Sequence, residues 1–225
     1  MIPFIIVYCL FLVLYFFTRP LNENINSKKI WNRAINKYIM ATMYLVYAII
    51  HFQKYEFLSF HLIIMLALFF AYLGDLFLVF DVNRGGDFFL AGNVLFAIYY
   101  VTLFVEKGLN FSNFYWILII WVVLFGGFII ASNKLPKVFK LGKMKFPMTF
   151  YLSSIMLHGS FGIGAMILLP GVKTFILGLG SLMFMISDFI LTVDKFVIRG
   201  NKWIVRANSL FYFGGLLLIA LSVGL

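Results

Sequence analysis

Gly74-Asp75-Leu76-Phe77-Leu78-Val79-Phe80-Asp81 and Ser187-Asp188-Phe189-Ile190-Leu191-Thr192-Val193-Asp194 read almost alike. In each, a small residue precedes an aspartate, five mostly apolar residues follow, and a second aspartate closes the stretch. Each ends a long hydrophobic run, so Asp75 and Asp188 lie within segments suited to a bilayer. A carboxylate in hydrocarbon costs roughly 2.5–3.5 kcal/mol on insertion scales, and such residues face a protein interior and serve a function. Two of them at matched positions define the question that the rest of the chain must answer.

Working outward, 64% of the 225 residues are hydrophobic and only 12% are charged, with a mean hydropathy of +1.03. Soluble domains carry about 45–50% apolar and about 25% charged residues, so the chain is that of an integral membrane protein. Apolar runs fall at 2–18, 38–53, 58–81, 88–105, 113–131, 148–169, 174–192 and 207–225. They lack the alternation of strands, and lipid otherwise admits only helices, because every backbone polar group must be satisfied internally. The expected fold is an all-α bundle of eight transmembrane helices in one polytopic domain spanning 1–225, with no room for a soluble domain. The first run has no basic leader and no small-residue cleavage pattern, so it reads as a span.

The net charge of +10 could suggest nucleic acid, but its distribution points elsewhere. With eight alternating helices, the loops at 19–37, 82–87, 132–147 and 193–206 share one side and hold fifteen Lys and Arg residues. The opposite side has only Lys54, Lys107 and Lys173. One helix more or fewer would scramble that ratio, so it supports the count, with the basic side cytoplasmic and both termini outside. The basic loops favour anionic lipid headgroups, and no nucleic-acid partner is expected.

This topology sets the depth of the aspartates. Asp75 precedes Asp81 by six residues, as Asp188 precedes Asp194, which is roughly 9 Å of helix. Both inner aspartates therefore belong to the cytoplasmic leaflet at one level, and Asp81 and Asp194 read as headgroup-layer markers. Matched motifs four helices apart hint at a duplicated four-helix unit.

Other chemistry is sparse. The single Cys9 precludes an internal disulfide and a cysteine-rich metal site. His51, His61 and His158 lack the i,i+4 spacing of a helical metal pair, so neither metal nor cofactor is expected, and His158 reads as an interhelical hydrogen-bond partner. No phosphate-binding Gly-rich loop and no Gly-x-Ser-x-Gly elbow occurs. Lys37 opening the second helix, Asn93 and Tyr100 in the fourth, Tyr151 in the sixth, and Asn208 and Tyr212 in the eighth fall near the level of the aspartates. Individually they read as interface anchors or helix-end residues; jointly they suit a polar pocket.

Gly74-Asp75 leading on to Phe89, Gly92 and Phe96, and Gly180-Ser181-Leu182-Met183-Phe184-Met185-Ile186-Ser187-Asp188 running on to Lys195-Phe196, resemble the two signatures of the YhhN family of integral membrane proteins. Tyr151 and Met156 fit the family's sixth helix. Three positions depart from its pattern. Tyr38 follows Lys37 where the family often has proline, Tyr100 stands in place of a histidine, and Gly215 in place of a glutamine. Characterised members are lysoplasmalogenases, which cleave the vinyl ether bond of lysoplasmalogens to a fatty aldehyde and a glycerophospho-base. The resemblance implies that activity in a bacterial cell membrane, with a lysophospholipid substrate. Asp75 and Asp188 are then the expected catalytic pair, and Lys37, Asn93, Tyr100, Tyr151 and Ser187 the expected substrate contacts. The alternatives are a transporter whose aspartates relay protons or bind a cation, and a non-catalytic lipid-binding homologue. Nothing in the chain predicts its oligomeric state.

Overall fold

A computed structural model describes residues 2–18, 27–56, 59–78, 80, 82–135, 139, 145–198 and 201–225. These residues form α1 (Ile2–Thr18), α2 (Ser27–Phe52), α3 (His61–Phe77), α4 (Val82–Glu106), α5 (Phe111–Lys134), α6 (Lys145–Leu168), α7 (Val172–Phe196) and α8 (Lys202–Gly224), and no strand appears among them. Five of the helices, α4 to α8, are long and apolar enough to cross a membrane, whereas α1 and α3 are equally apolar but shorter.

Every apolar run becomes a helix, yet several helices begin earlier than hydropathy predicts. α2 starts at Ser27 rather than 38, α4 at Val82 rather than 88 and α8 at Lys202 rather than 207. The added turns are polar. They are helical all the same; a run read from hydropathy alone stops where charged residues begin. Lys37 therefore lies well inside α2 and does not open it.

Local chemistry fixes the ends. Gly108, with φ +76°, supplies the left-handed residue beyond α4. Its N–H donates to Val105 O at 2.9 Å while Leu109 N–H reaches Phe104 O at 2.9 Å, the two bonds of a Schellman terminus. Asn110 and Asn113 then cap α5 reciprocally, and Asn201 Oδ1 accepts from Trp203 N–H at 2.9 Å to start α8. Pro147 occupies the first turn of α6, where its missing N–H costs nothing.

Packing closes a ring of six helices in the order α2, α3, α4, α6, α7, α8, with α8 returning to α2. α1 lies outside against α2 and α8, and α5 outside against α6. Two crossings are tight. A Cβ on Gly92 of α4 would meet Ala67 O of α3 at 3.2 Å, and one on Gly215 of α8 would meet Gly180 O of α7 at 2.7 Å and Phe184 N at 2.9 Å. Backbones touch there because small residues permit it. Gly215→Val should therefore cost about 1–3 kcal/mol through overpacking, read as a lower unfolding midpoint in detergent. An unchanged midpoint would argue against this crossing.

Candidate functional site

Both inner aspartates point into the ring. Asp75 on α3 is completely buried and Asp188 on α7 is 3% exposed. Gly74 precedes Asp75 because the ring of Phe89 occupies the space of its absent Cβ, which would lie 2.8 Å from three ring atoms. α2 supplies the counter-charge, with Lys37 Nζ 2.9 Å from Asp75 Oδ1. The Tyr44 and Tyr212 hydroxyls, from α2 and α8, stand beside the same carboxyl without well-aligned hydrogen bonds. Across the site, Tyr151 of α6 donates to Asp188 Oδ2 at 2.6 Å. Each carboxyl is thus held by the helix that precedes its own in the ring, Asp75 by α2 and Asp188 by α6.

An aromatic frame fixes this arrangement. Tyr212 meets Phe89 edge-on at 6.0 Å and Phe184 at 5.3 Å. Tyr38, the residue in place of the family's proline, donates to Leu76 O at 3.2 Å. Leu76 lies in the last turn of α3, where carbonyls lack intrahelical partners. The departure at Tyr38 thus ties α2 to the end of the helix that carries Asp75.

Not every expected contact gathers around the carboxylates. Lys37 and Tyr151 do so. The ammonium of Lys37 is committed to Asp75, however, and is only 12% exposed. Ser187 is buried beside Asp188, but its hydroxyl bonds back to Phe184 O at 2.7 Å. Asn93 and Tyr100 join a separate network. His158 Nδ1 lies 3.2 Å from Asn93 Oδ1 and His158 Nε2 lies 2.8 Å from Ser181 Oγ, which is itself 2.7 Å from Tyr100 Oη. Phe96 stacks on the imidazole at 4.5 Å. The α3–α4 crossing explains the separation. Asn93 follows Gly92, which meets Ala67, eight residues from Asp75 and hence about 12 Å along the helix.

Ser181, His158 and Asn93 superficially follow the order nucleophile, base and orienting group. All three are completely buried, and mid-helix N–H groups are already bonded and cannot form an oxyanion hole. Their evident work is to brace α4, α6 and α7. The expected interhelical role of His158 has this concrete form, and Tyr100 supplies a hydroxyl where the family's histidine would stand. Gly215 lies at the α7–α8 crossing, where no side chain fits.

Two residues of the site escape the sequence reading, Tyr44 and Tyr8. The latter is buried, bonds Phe213 O at 3.0 Å and feels the charge of Asp75. Tyr44 had a usable signal, since it lies seven residues after Lys37 and therefore on the same helix face. Asp194, expected at the headgroup layer, is 8% exposed and buried in α7; Asp81 lies outside the described residues. Among the described residues, no three His, Cys, Asp or Glu side chains come together as metal ligands. An apolar groove of about 420 Å³ between α7 and α8 is lined by Phe189, Ile190 and Val193 with Trp203, Ile204 and Ala207. It occupies the face of α7 turned away from Asp188.

Comparison with curated proteins and with solved structures yields no match. Residues 32–223 do match the model of the YhhN family, a span that includes both aspartates and all of their described partners except Tyr8, and the chain belongs to that family.

Proposed function

We propose that this protein is a membrane lipid hydrolase of the lysoplasmalogenase kind, cleaving the vinyl ether bond of a lysoplasmalogen to a fatty aldehyde and a glycerophospho-base. The observation that carries the reading is the pair of buried carboxylates, Asp75 and Asp188, facing one ring interior with different polar partners. Vinyl ether hydrolysis needs a proton delivered to carbon and negative charge beside the resulting oxocarbenium ion. Two carboxyl groups in a water-poor site can share one proton and so supply both. Family membership, whose characterised examples carry this activity, favours it over transport. Tyr100 and Ser187 would act from behind, since their hydroxyls are bonded to protein, and so would Asn93, whose Oδ1 faces His158 in the same separate network.

The setting we propose has eight spans in a bacterial cell membrane, both termini outside and the aspartates in the cytoplasmic leaflet. The single-chain substrate lies with its tail among the helices and its headgroup toward the basic loops. The ring also favours descent from a duplicated four-helix unit. α1·α2, α2·α3 and α3·α4 have counterparts in α5·α6, α6·α7 and α7·α8, and α4·α6 has its counterpart in α8·α2. The crossings at Ala67/Gly92 and Gly180/Gly215 occupy matching places.

Purified protein incubated with a lysoplasmalogen and, separately, with an ester lysophospholipid should release aldehyde from the first only. Absence of aldehyde with a choline and an ethanolamine headgroup alike would overturn the reading.

A further inference from the structure

The two aspartates are matched in sequence but not in their partners. Lys37 stands 38 residues before Asp75 and Tyr151 stands 37 before Asp188. Lys37 lies on α2, which packs on α3, and Tyr151 on α6, which packs on α7. The same place in each half thus holds an ammonium 2.9 Å from one carboxyl and a hydroxyl 2.6 Å from the other. The next position on the same face, seven residues on, is Tyr44 in the first half and His158 in the second. Tyr44 joins the Asp75 cluster, whereas His158 is bonded to Asn93 and Ser181. Hence the only cation that the described residues bring to the site is on the Asp75 side.

We infer that the two aspartates divide the chemistry: Asp188 is the proton donor and Asp75 the fixed carboxylate, a choice made by Lys37 and Tyr151 from matching places on α2 and α6. The assignment of chemical steps rests on the hydrolase reading; the location of the proton rests on the ammonium held at Asp75 and the hydroxyl held at Asp188. Two carboxyls in one low-dielectric site hold one proton between them. A buried charge needs a partner, and the ammonium supplies it at Asp75. Beside Asp75 stand Lys37 and Tyr44 from α2, Tyr8 from α1 and Tyr212 from α8. Asp188 has Tyr151 from α6 and, more remotely, Asp75 itself. Tyr151 takes Oδ2 and leaves Oδ1 to carry the proton.

The steps balance on this assignment. The Asp188 O–H bond breaks and a C–H bond forms at the outer vinyl carbon. The double-bond electrons supply that bond, and positive charge spreads over the ether carbon and oxygen. The newly formed Asp188 carboxylate and Asp75 face that charge. Water adds to the ether carbon and returns its proton to Asp188, giving a hemiacetal that splits into alcohol and aldehyde. Lys37 and Tyr151 are positioning residues and touch no reacting atom.

The test is the infrared carbonyl band of a protonated carboxyl, recorded on full-length protein in phosphatidylcholine vesicles. Wild type and Asp75→Asn should keep the band, and Asp188→Asn should lose it. Because Asp75→Asn strands the Lys37 charge, the neutral pair Lys37→Met/Asp75→Asn is the second variant, and it too should keep the band. Tyr151→Phe should shift the band in frequency and lower kcat with little change in KM. Loss of the band in Asp75→Asn and in the double variant, its persistence in Asp188→Asn, or its absence from wild type would each overturn the assignment. The band pattern does not depend on turnover. Expected bands without aldehyde release would sink the hydrolase reading while supporting the place of the proton.

Discussion

Lys37→Met lowers stability by about 3–5 kcal/mol, the usual consequence of stripping one partner from a buried ion pair. The size follows from burial, since Asp75 is completely inaccessible and Lys37 only 12% exposed. Water cannot replace the lost ammonium, and the tyrosine hydroxyls that stand beside the carboxyl carry no charge and make no well-aligned hydrogen bond to it. Methionine keeps the length of the lysine stem, so little of the loss comes from packing. Adding Asp75→Asn removes the stranded charge and should restore most of the stability, giving a large coupling energy in a double-mutant cycle. Unfolding in detergent, followed by helix content, measures all four proteins. Equal unfolding of Lys37→Met and wild type would show that the ion pair contributes nothing.

Asp188→Asn should reduce turnover of lysoplasmalogen by about 10²–10⁴-fold, the range supplied by a positioned general acid. Asparagine is nearly isosteric, and its Oδ1 can still accept the Tyr151 hydrogen bond, so folding should be preserved. Tyr151→Phe removes a hydrogen bond that becomes charge-assisted as Asp188 gives up its proton, worth about 1.5–3 kcal/mol in that state; at 1.36 kcal/mol per decade this is roughly ten- to a hundredfold in rate. The ordering, with the aspartate variant more damaged than the tyrosine variant, is the signature of a donor and its support. Aldehyde release under saturating substrate checks it. A fully active Asp188→Asn protein would remove that carboxyl from the chemistry.

The helices and the two aspartates were legible because each depends on its own segment. A run of apolar residues becomes a helix whatever its neighbours, and a carboxylate within it stands out against the hydrocarbon. Partner choice was not legible, since it depends on how helices cross. Nothing local pairs Lys37 with Asp75 in place of a headgroup phosphate; that follows from the packing of α2 on α3. Asn93 and Tyr100 were misplaced in depth for the same reason. The Gly92–Ala67 crossing sets the register of α4 against α3, and a glycine in a sequence does not name the backbone it will touch. Asp194 adds that position along α7 does not tell whether a side chain is covered by its neighbours, as this one is.

The tight crossings also bear on traffic. At Gly215 against Gly180 backbones approach so closely that even a methyl group does not fit, and at Gly92 against Ala67 a methyl would press on a carbonyl at 3.2 Å. An acyl chain has no passage through the wall at either level. Asn93, His158 and Ser181 lace α4, α6 and α7 together at mid-depth, which bars the seams between those helices as well. The two seams flanking α2 are closed by other means, the one toward α8 by α1 lying outside it and the one toward α3 by Tyr38 and the Lys37–Asp75 ion pair. The counter-charge Lys37 thus stands in the α2–α3 seam itself, and parting those two helices would break the ion pair with Asp75.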